Sequence, residues 1–154
     1  MSLILSPLHR KTIRAHAEAA YPNECCGFLV GRAEDDHKSV VALIKADNTR
    51  TDAAHHRYLI TPEAYLEAER LAESRGLEIL GFYHSHPDAP ARPSEYDRTH
   101  ALPACSYVIV SVRDRSAGEL TSWVLSEDYE RFEEERVRTH LPAPVEGEEH
   151  VGQR

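Results

Sequence analysis

The segment from Glu78 to Asp97 constrains the fold of this chain more than any other part of its sequence. It begins with the run EILGFYHSH, which has apolar residues on both faces of an extended strand and so predicts a central strand. His84 and His86 end this run, and side chains two residues apart on a strand point to the same face. Pro87 follows and lacks the N–H that a strand ladder needs. The sequence therefore predicts two imidazoles side by side at a strand end.

A carboxylate follows these histidines at a short distance along the chain. The loop from Asp88 to Pro93 contains two prolines and leads into a helix predicted to begin at Ser94, with Asp97 on its first turn. Two imidazoles, one carboxylate and an open fourth position are the ligand set of a catalytic zinc. Ser94 and Asp97 also fit a capping box, with serine as N-cap and an acidic residue at N3. The two interpretations are compatible, because a cap that fixes the helix start also fixes the ligand.

A His-x-His pair alone more often belongs to packing or to the surface than to a metal site. Here, core packing would bury imidazole nitrogens that need a partner, which favours a metal. Two other folds with His-x-His metal sites do not fit. Cupin-type sites need a glutamate four or five residues after the second histidine, where Pro90 and Ala91 stand. Amidohydrolase-like barrels need about 250 residues, and this chain has 154.

The remaining elements predict one domain in which helices and strands share a core. Ser6-Pro7 and Thr61-Pro62 each place an N-cap before a proline at the first helical position. The first helix should end near Ala20, and Gly76 should end the second. Strands are predicted over residues 26–31, 39–46, 57–60, 78–86, 106–112 and 119–125. This mixture predicts an α/β or α+β fold around a central sheet.

The C-terminal residues are more acidic than the rest of the chain. Residues 127–154 hold nine acidic and four basic side chains, which accounts for −5 of the formal net charge of −8. We expect a domain over residues 1–126, a charged helix over 127–140 and a disordered acidic tail over 141–154, which lacks apolar periodicity. The positive and negative charges of residues 1–126 nearly balance, and these residues contain no basic stripe, which argues against binding to nucleic acid.

Apolar runs and cysteines indicate where such a chain resides. No apolar run approaches the roughly 20 residues of a membrane span, and the first residues do not resemble a secretory signal. Two of the three cysteines, Cys25 and Cys26, are adjacent, which does not make a disulfide framework. We therefore expect a soluble cytoplasmic protein that does not interact with membranes. The sequence leaves the oligomeric state open.

The spacing of His84, His86, Ser94 and Asp97 resembles the JAMM motif of the MPN+ metalloproteases. That family also has an upstream glutamate in a Pro-x-Glu-x-Cys-Gly pattern, and the stretch PNECCG around Glu24 is similar to it. The motifs together span residues 22–97. The resemblance implies a single-domain JAMM/MPN fold of the cytidine-deaminase-like type, with a central mixed sheet flanked by helices.

The resemblance also implies a role for each residue. His84, His86 and Asp97 would hold Zn²⁺, which lowers the pKa of its bound water and polarises a carbonyl. Glu24 would take the proton of the attacking water and pass it to the leaving amine. Ser94 would donate a hydrogen bond to the developing oxyanion, in competition with its capping bond. Composition alone would instead interpret Glu24 as an exposed carboxylate after a helix.

The implied substrates are conjugates of ubiquitin-like proteins. The chain resembles the compact prokaryotic form of the family, which implies cleavage after the C-terminal Gly-Gly of a ubiquitin-like sulfur carrier of the ThiS, MoaD or CysO type. Two alternatives stay open. One is a non-catalytic MPN-type interaction module, against which the intact ligand set argues. The other is a RadC-like protein associated with DNA repair, against which the missing basic patch argues.

Overall fold

The computed structural model describes residues 1–48 and 60–140. Its helices and strands, in chain order, are β1 (Ser2–Ile4), α1 (Pro7–Ala20), β2 (Cys26–Ala33), β3 (His37–Ala46), α2 (Pro62–Ser74), β4 (Glu78–Pro87), α3 (Glu95–Thr99), β5 (Ser106–Arg113), β6 (Ser116–Leu125) and β7 (Phe132–Arg138).

The seven strands of the described residues form one mixed sheet that closes on itself. Their order is β1-β3-β2-β4-β5-β6-β7, and β1 closes the sheet by pairing in parallel with both β3 and β7. β4 lies in the middle, antiparallel to β2 and parallel to β5. The predicted α+β fold with a mixed central sheet is confirmed, with the difference that the sheet is closed.

Both long helices begin where the sequence predicts. The Ser6 side chain accepts a hydrogen bond from the N–H of His9, and the Thr61 side chain accepts one from the N–H of Ala64, each at 3.1 Å. These bonds satisfy two of the N–H groups that a helix start leaves without a partner. Both helices have a proline at the first helical position, where its missing N–H needs no such bond.

Alternation along β2 divides the core between the two faces of the sheet. Leu29 packs on one face with Ile13 of α1. Phe28 packs on the other face with Ala68 of α2. Phe82 of β4 belongs to this second face, where its ring contacts Phe28 at a centroid distance of 5.6 Å. His84 and His86 therefore project from the α2 side of the sheet, since strand side chains alternate.

The predicted charged helix over residues 127–140 is wrong. Ser126 and Arg131 close a turn, and Phe132–Arg138 then form β7. The glutamate-rich sequence favours a helix locally. Pairing with β6 on one side and with β1 on the other instead provides hydrogen-bond partners for the backbone of this segment along both of its edges. The buried Glu135 accepts hydrogen bonds there from Ser106 and Ser122. Tertiary pairing therefore overrides helix propensity, and the sheet continues past residue 126.

One short strand, β1, is absent from the predictions, and three other expectations concern residues 57–60, the C-terminal tail and membrane spans. β1 was not predicted, because three residues are too few to show an alternating pattern. Residues 57–59 of one predicted strand and the predicted tail over 141–154 lie outside the described residues. Within the described parts of the chain, no helix has the length and apolar content needed to cross a bilayer.

Candidate metal centre

His84, His86 and Asp97 converge beside the end of β4. The Nε2 atoms of the two imidazoles are 3.2 Å apart. Asp97 Oδ2 lies 3.2 Å from the Nε2 of His86 and 3.4 Å from that of His84. His84 is fully buried, and the Asp97 side chain is only 8% exposed. The structure thus places one ligand atom from each predicted metal-binding residue in a compact, nearly equilateral triangle.

The size of this triangle fits a zinc ion. Ligand atoms bound tetrahedrally to zinc at about 2.0–2.1 Å lie about 3.3–3.4 Å from one another. The observed edges of 3.2 to 3.4 Å match that separation. Two imidazole nitrogens and one carboxylate oxygen are also ligands that zinc accepts. The residues present therefore fit this metal, and three protein ligands leave one of its four positions open.

The protonation states also favour metal binding. Burial lowers the pKa of His84 and so favours its neutral form, in which a ring nitrogen carries a lone pair. Burial alone would raise the pKa of Asp97, but His84, His86 and the N–H of Ser94 together hold it well below its ordinary value. Asp97 is therefore ionised. Neutral imidazoles and an ionised carboxylate are the forms that bind a cation.

One backbone carbonyl fixes the tautomer of His86. Its Nδ1 lies 2.9 Å from the carbonyl oxygen of Pro90. A carbonyl oxygen only accepts, so Nδ1 carries the proton and donates it. When Nε2 gives up its own proton, which it can otherwise donate to Asp97, its lone pair becomes available to a cation. This is the usual arrangement for a histidine that ligates a metal through its other nitrogen.

The predicted capping box at the start of α3 is present. Ser94 Oγ accepts from the Asp97 N–H at 3.1 Å, and the Ser94 N–H donates to Asp97 Oδ2 at 2.8 Å. The box thus orients the same carboxylate oxygen that faces the histidines. Because the cap uses a lone pair of the Ser94 hydroxyl and not its proton, the expected competition with an oxyanion hydrogen bond does not arise.

The loop between β4 and α3 is held at three successive carbonyl groups. Ser111 Oγ donates to the carbonyl oxygen of Ala89 at 2.7 Å, and His86 Nδ1 donates to that of Pro90 at 2.9 Å. Thr121 Oγ1 donates to the carbonyl oxygen of Ala91 at 2.7 Å. Sequence analysis missed Ser111 and Thr121, because they lie on β5 and β6 and no local pattern connects them with the loop. These bonds fix the path from the histidines to Asp97.

Glu24 lies just before β2, next to the strand that carries the histidines. Cys26 pairs with His84 in the antiparallel register, and the Ser85 N–H donates to the Cys25 carbonyl at 3.2 Å. Glu24 directly precedes Cys25 and so lies just beyond the end of this pairing. Glu24 is only 5% exposed, so the interpretation of an exposed carboxylate is wrong. It is not part of the group formed by the two histidines and Asp97.

The two adjacent cysteines, Cys25 and Cys26, are buried packing residues. Burial raises the pKa of the Cys25 thiol to about 11 and that of the Cys26 thiol to about 12. Both therefore stay protonated near neutral pH, whereas a nucleophile or a metal ligand would have to be a thiolate.

An aromatic groove runs from Asp97 along the α2 side of β4. It has a volume of about 600 Å³ and lies between α2, β4 and α3. Its aromatic lining residues are Tyr65, Phe82, Tyr96 and Tyr107. The ring of Phe82 stacks on Tyr107 at a centroid distance of 5.5 Å. Sequence analysis missed this groove, because its residues are dispersed along the chain and only the fold assembles them.

Comparisons with known proteins agree with this geometry. Residues 7–126 match the family model described as prokaryotic homologs of the JAB domain. A probable TtuB-protein conjugate cleaving protease of Thermus thermophilus is 38% identical over 96 residues, which cover 62% of this chain and 61% of that protein. A desampylase of Haloferax volcanii is 36% identical over 109 residues, 66% of this chain and 75% of that protein.

A solved structure resembles the whole chain. The solution structure of a protein from Salinibacter ruber is 42% identical, with a TM-score of 0.71, and the match covers 97% of this chain and 99% of that one. Some of these relatives are longer than the region that they share with this chain. The shared region is 31% of the length of a tail tip assembly protein of Escherichia phage N15 and 61% of that of the Thermus protein.

Proposed function

This chain belongs to the prokaryotic JAB domain family, and from that premise we propose that it is a zinc-dependent hydrolase that releases a ubiquitin-like sulfur carrier from its conjugates. The bond cleaved is the peptide or isopeptide bond after the carrier's C-terminal Gly-Gly. The family membership confirms the resemblance to the JAMM/MPN+ proteins. The names of the Thermus and Haloferax relatives support conjugate cleavage as the reaction.

The observation that carries the proposal is the triangle formed by His84, His86 and Asp97. These residues would hold Zn²⁺, since their ligand atoms are spaced at 3.2 to 3.4 Å and the Asp97 carboxyl is ionised. When bound, zinc supplies Lewis-acid chemistry, because it makes water acidic enough to attack near neutral pH and polarises a carbonyl. A buried ligand set of this kind has no comparable use in a module that only binds proteins.

Two further residues complete the chemistry. Glu24, two residues before the partner of His84 on β2, is the general base that takes a proton from the attacking water and returns it to the leaving amine. Ser94 accepts the capping bond of α3 through a lone pair and directs its hydroxyl proton to the oxyanion that develops on the scissile carbonyl. Ser94 contacts Asp97 directly, and neither residue is one of the three proposed ligands.

The aromatic groove supports an extended peptide as the ligand. Its walls are mostly aromatic and apolar, and Asp97 is one of the residues that line it. A flexible C-terminal tail can lie in such a groove, with its aliphatic side chains against Phe82 and Tyr107. The final Gly-Gly, which has no side chains, can then reach the buried ligands. We therefore propose that the groove binds the carrier's C-terminal tail.

The metal proposal is tested by zinc stoichiometry. Purified protein should contain one zinc per chain, and His84→Ala combined with Asp97→Ala should contain none. His37→Ala is a matched control, because His37 also faces a carboxylate, Asp36, at 2.8 Å, but away from the site. Stoichiometric zinc in the double variant would overturn the proposed ligand set.

The reaction is tested with a carrier joined through its terminal glycine to a lysine side chain. Wild type should release the intact carrier, with a free Gly-Gly carboxylate detected by mass spectrometry. A chelator should stop the release, and added zinc should restore it. Cleavage at any other bond, or cleavage that resists removal of the metal, would contradict the proposed function.

A further inference from the structure

The peptide group between Glu24 and Cys25 is held at both of its polar atoms. The Cys25 N–H donates to Ser85 Oγ at 2.8 Å in a fully buried hydrogen bond. The Glu24 carbonyl, which belongs to the same peptide plane, accepts from Asn48 Nδ2 at 3.1 Å. Two side chains from β4 and from the end of β3 therefore fix the orientation of one peptide plane.

We propose that Ser85 and Asn48 are positioning residues that set the direction of the Glu24 carboxylate. The inference rests on the proposed function, in which Glu24 is the general base. The orientation of a peptide plane determines the ψ angle of the residue before it, here Glu24. A rotation of this plane would turn the side chain of Glu24 relative to His84 and His86.

Ser85 is suited to this role by its place on β4. It lies between the two histidines, and alternation directs its side chain to the opposite face of the strand. Ser85 is fully buried there, on the face away from the imidazoles of His84 and His86. Its hydroxyl can accept the Cys25 N–H, and its own N–H donates to the Cys25 carbonyl at 3.2 Å. The strand that carries the ligands thus also holds the residue next to the base.

Packing on the same face leaves this segment little freedom to adjust. Tyr83 packs on Gly27 so closely that a Cβ at Gly27 would lie 2.3 Å from the tyrosine ring. The Tyr83 hydroxyl is in turn bonded to Nδ1 of His16 at 2.8 Å. Because the following residues are fixed, the hydrogen bonds of Ser85 and Asn48 control the remaining rotation at Glu24.

The consequence for catalysis follows from the geometric demands of proton transfer. A misplacement of about 1 Å at a reacting group can cost about 100-fold in rate. We expect Ser85→Ala and Asn48→Ala each to lower kcat by about 10- to 100-fold, with KM and zinc content unchanged. Ser85→Thr keeps the hydroxyl and should recover most of the rate. Ser122→Ala is the matched control, since Ser122 is equally buried but bonds to Glu135.

The deciding experiment combines these variants with Glu24→Gln. The rate of carrier release and the zinc content are measured for the single variants and for Ser85→Ala and Asn48→Ala in the Glu24→Gln background. If both residues act through Glu24, their effects should fall below about 2-fold there, because groups that act as one unit are non-additive. Asn48 is half-buried, so its variant remains informative if Ser85→Ala fails to fold.

The outcomes separate the two proposals. If Glu24→Gln leaves cleavage unchanged, the proposed base is wrong and the proposed function fails at this residue. If Glu24→Gln slows cleavage but Ser85→Ala and Asn48→Ala have full rates, the positioning inference is overturned. Equal losses in both backgrounds, or a loss of zinc in Ser85→Ala, would also overturn it, because Ser85 would then act through the metal ligands.

Discussion

Glu135→Ala should destabilise the fold strongly, because Glu135 belongs to a buried polar network at the closure of the sheet. Its Oε1 accepts from Ser106 Oγ and Ser122 Oγ, both at 2.8 Å. Ser106 Oγ in turn accepts from Lys38 Nζ at 2.9 Å. Both charged side chains are only 6% exposed. The network thus connects the buried ammonium of β3 to the carboxylate of β7 through one serine hydroxyl.

The size of the effect follows from what the substitution leaves behind. Removing Glu135 takes the acceptor from two buried hydroxyls and leaves the Lys38 ammonium without its balancing charge. Each buried donor left without an acceptor costs about 1–3 kcal/mol, so for the two hydroxyls together we expect about 3–5 kcal/mol. For a chain of this size each kcal/mol lowers Tm by about 2–4 °C, so we expect a loss of about 6–20 °C. Native domains have only about 5–15 kcal/mol of stability, so this is a large share.

The assays are thermal unfolding and urea unfolding, both followed by circular dichroism, with Glu134→Ala as the matched control. Glu134 precedes Glu135 on β7 but is exposed, and its removal should change the free energy of unfolding by less than about 0.5 kcal/mol. Replacing both charges, as Lys38→Met with Glu135→Leu, should recover most of the loss, because no buried charge then remains. A Glu135→Ala loss below about 1 kcal/mol would refute the reasoning.

Three further predictions concern the site and the ends of the chain. Glu24→Gln should lower the rate of carrier release by about 10²- to 10⁴-fold while one zinc stays bound, as measured by kinetics and metal analysis on the same samples. Gly27→Ala should lower the free energy of unfolding by about 1–3 kcal/mol, because its Cβ would overlap the ring of Tyr83, whereas Gly118→Ala has open space and should be tolerated in the same thermal assay. Deleting residues 141–154, which lack apolar periodicity, should change neither Tm nor turnover; a large fall in Tm would show that this segment packs on the domain.

The parts of the structure that sequence predicts well are local. Within twenty residues, four local features specify β4 and the start of α3. They are a strand with apolar residues on both faces, a proline, a stiff loop and an N-cap serine. The three candidate ligands all lie in this stretch, so their convergence depends on few distant contacts. The same holds for α1 and α2, whose caps and prolines give their starts.

The parts that sequence does not predict depend on pairing between distant segments. β7 has the composition of a helix, and only its pairing with β1 and β6 makes it a strand. Its inward residue, Glu135, is charged, so alternation of apolar and polar residues gives no signal. The burial of Glu24 and the aromatic groove also arise only when remote elements meet.

The register between β2 and β4 therefore brings together the residues of the site that the sequence predicts locally and those that only the fold assembles. The proposed metal ligands belong to β4 and α3, whereas the pairing of Cys26 with His84 brings Glu24, the proposed base, next to the strand that carries the histidines. A slip of one residue would turn the Glu24 side chain to the opposite face of the sheet. The bonds between Ser85 and Cys25 oppose such a slip at the last pair before Glu24. On the proposed mechanism, the single residue between the two histidines thus holds the base in register with the ligands on either side of it.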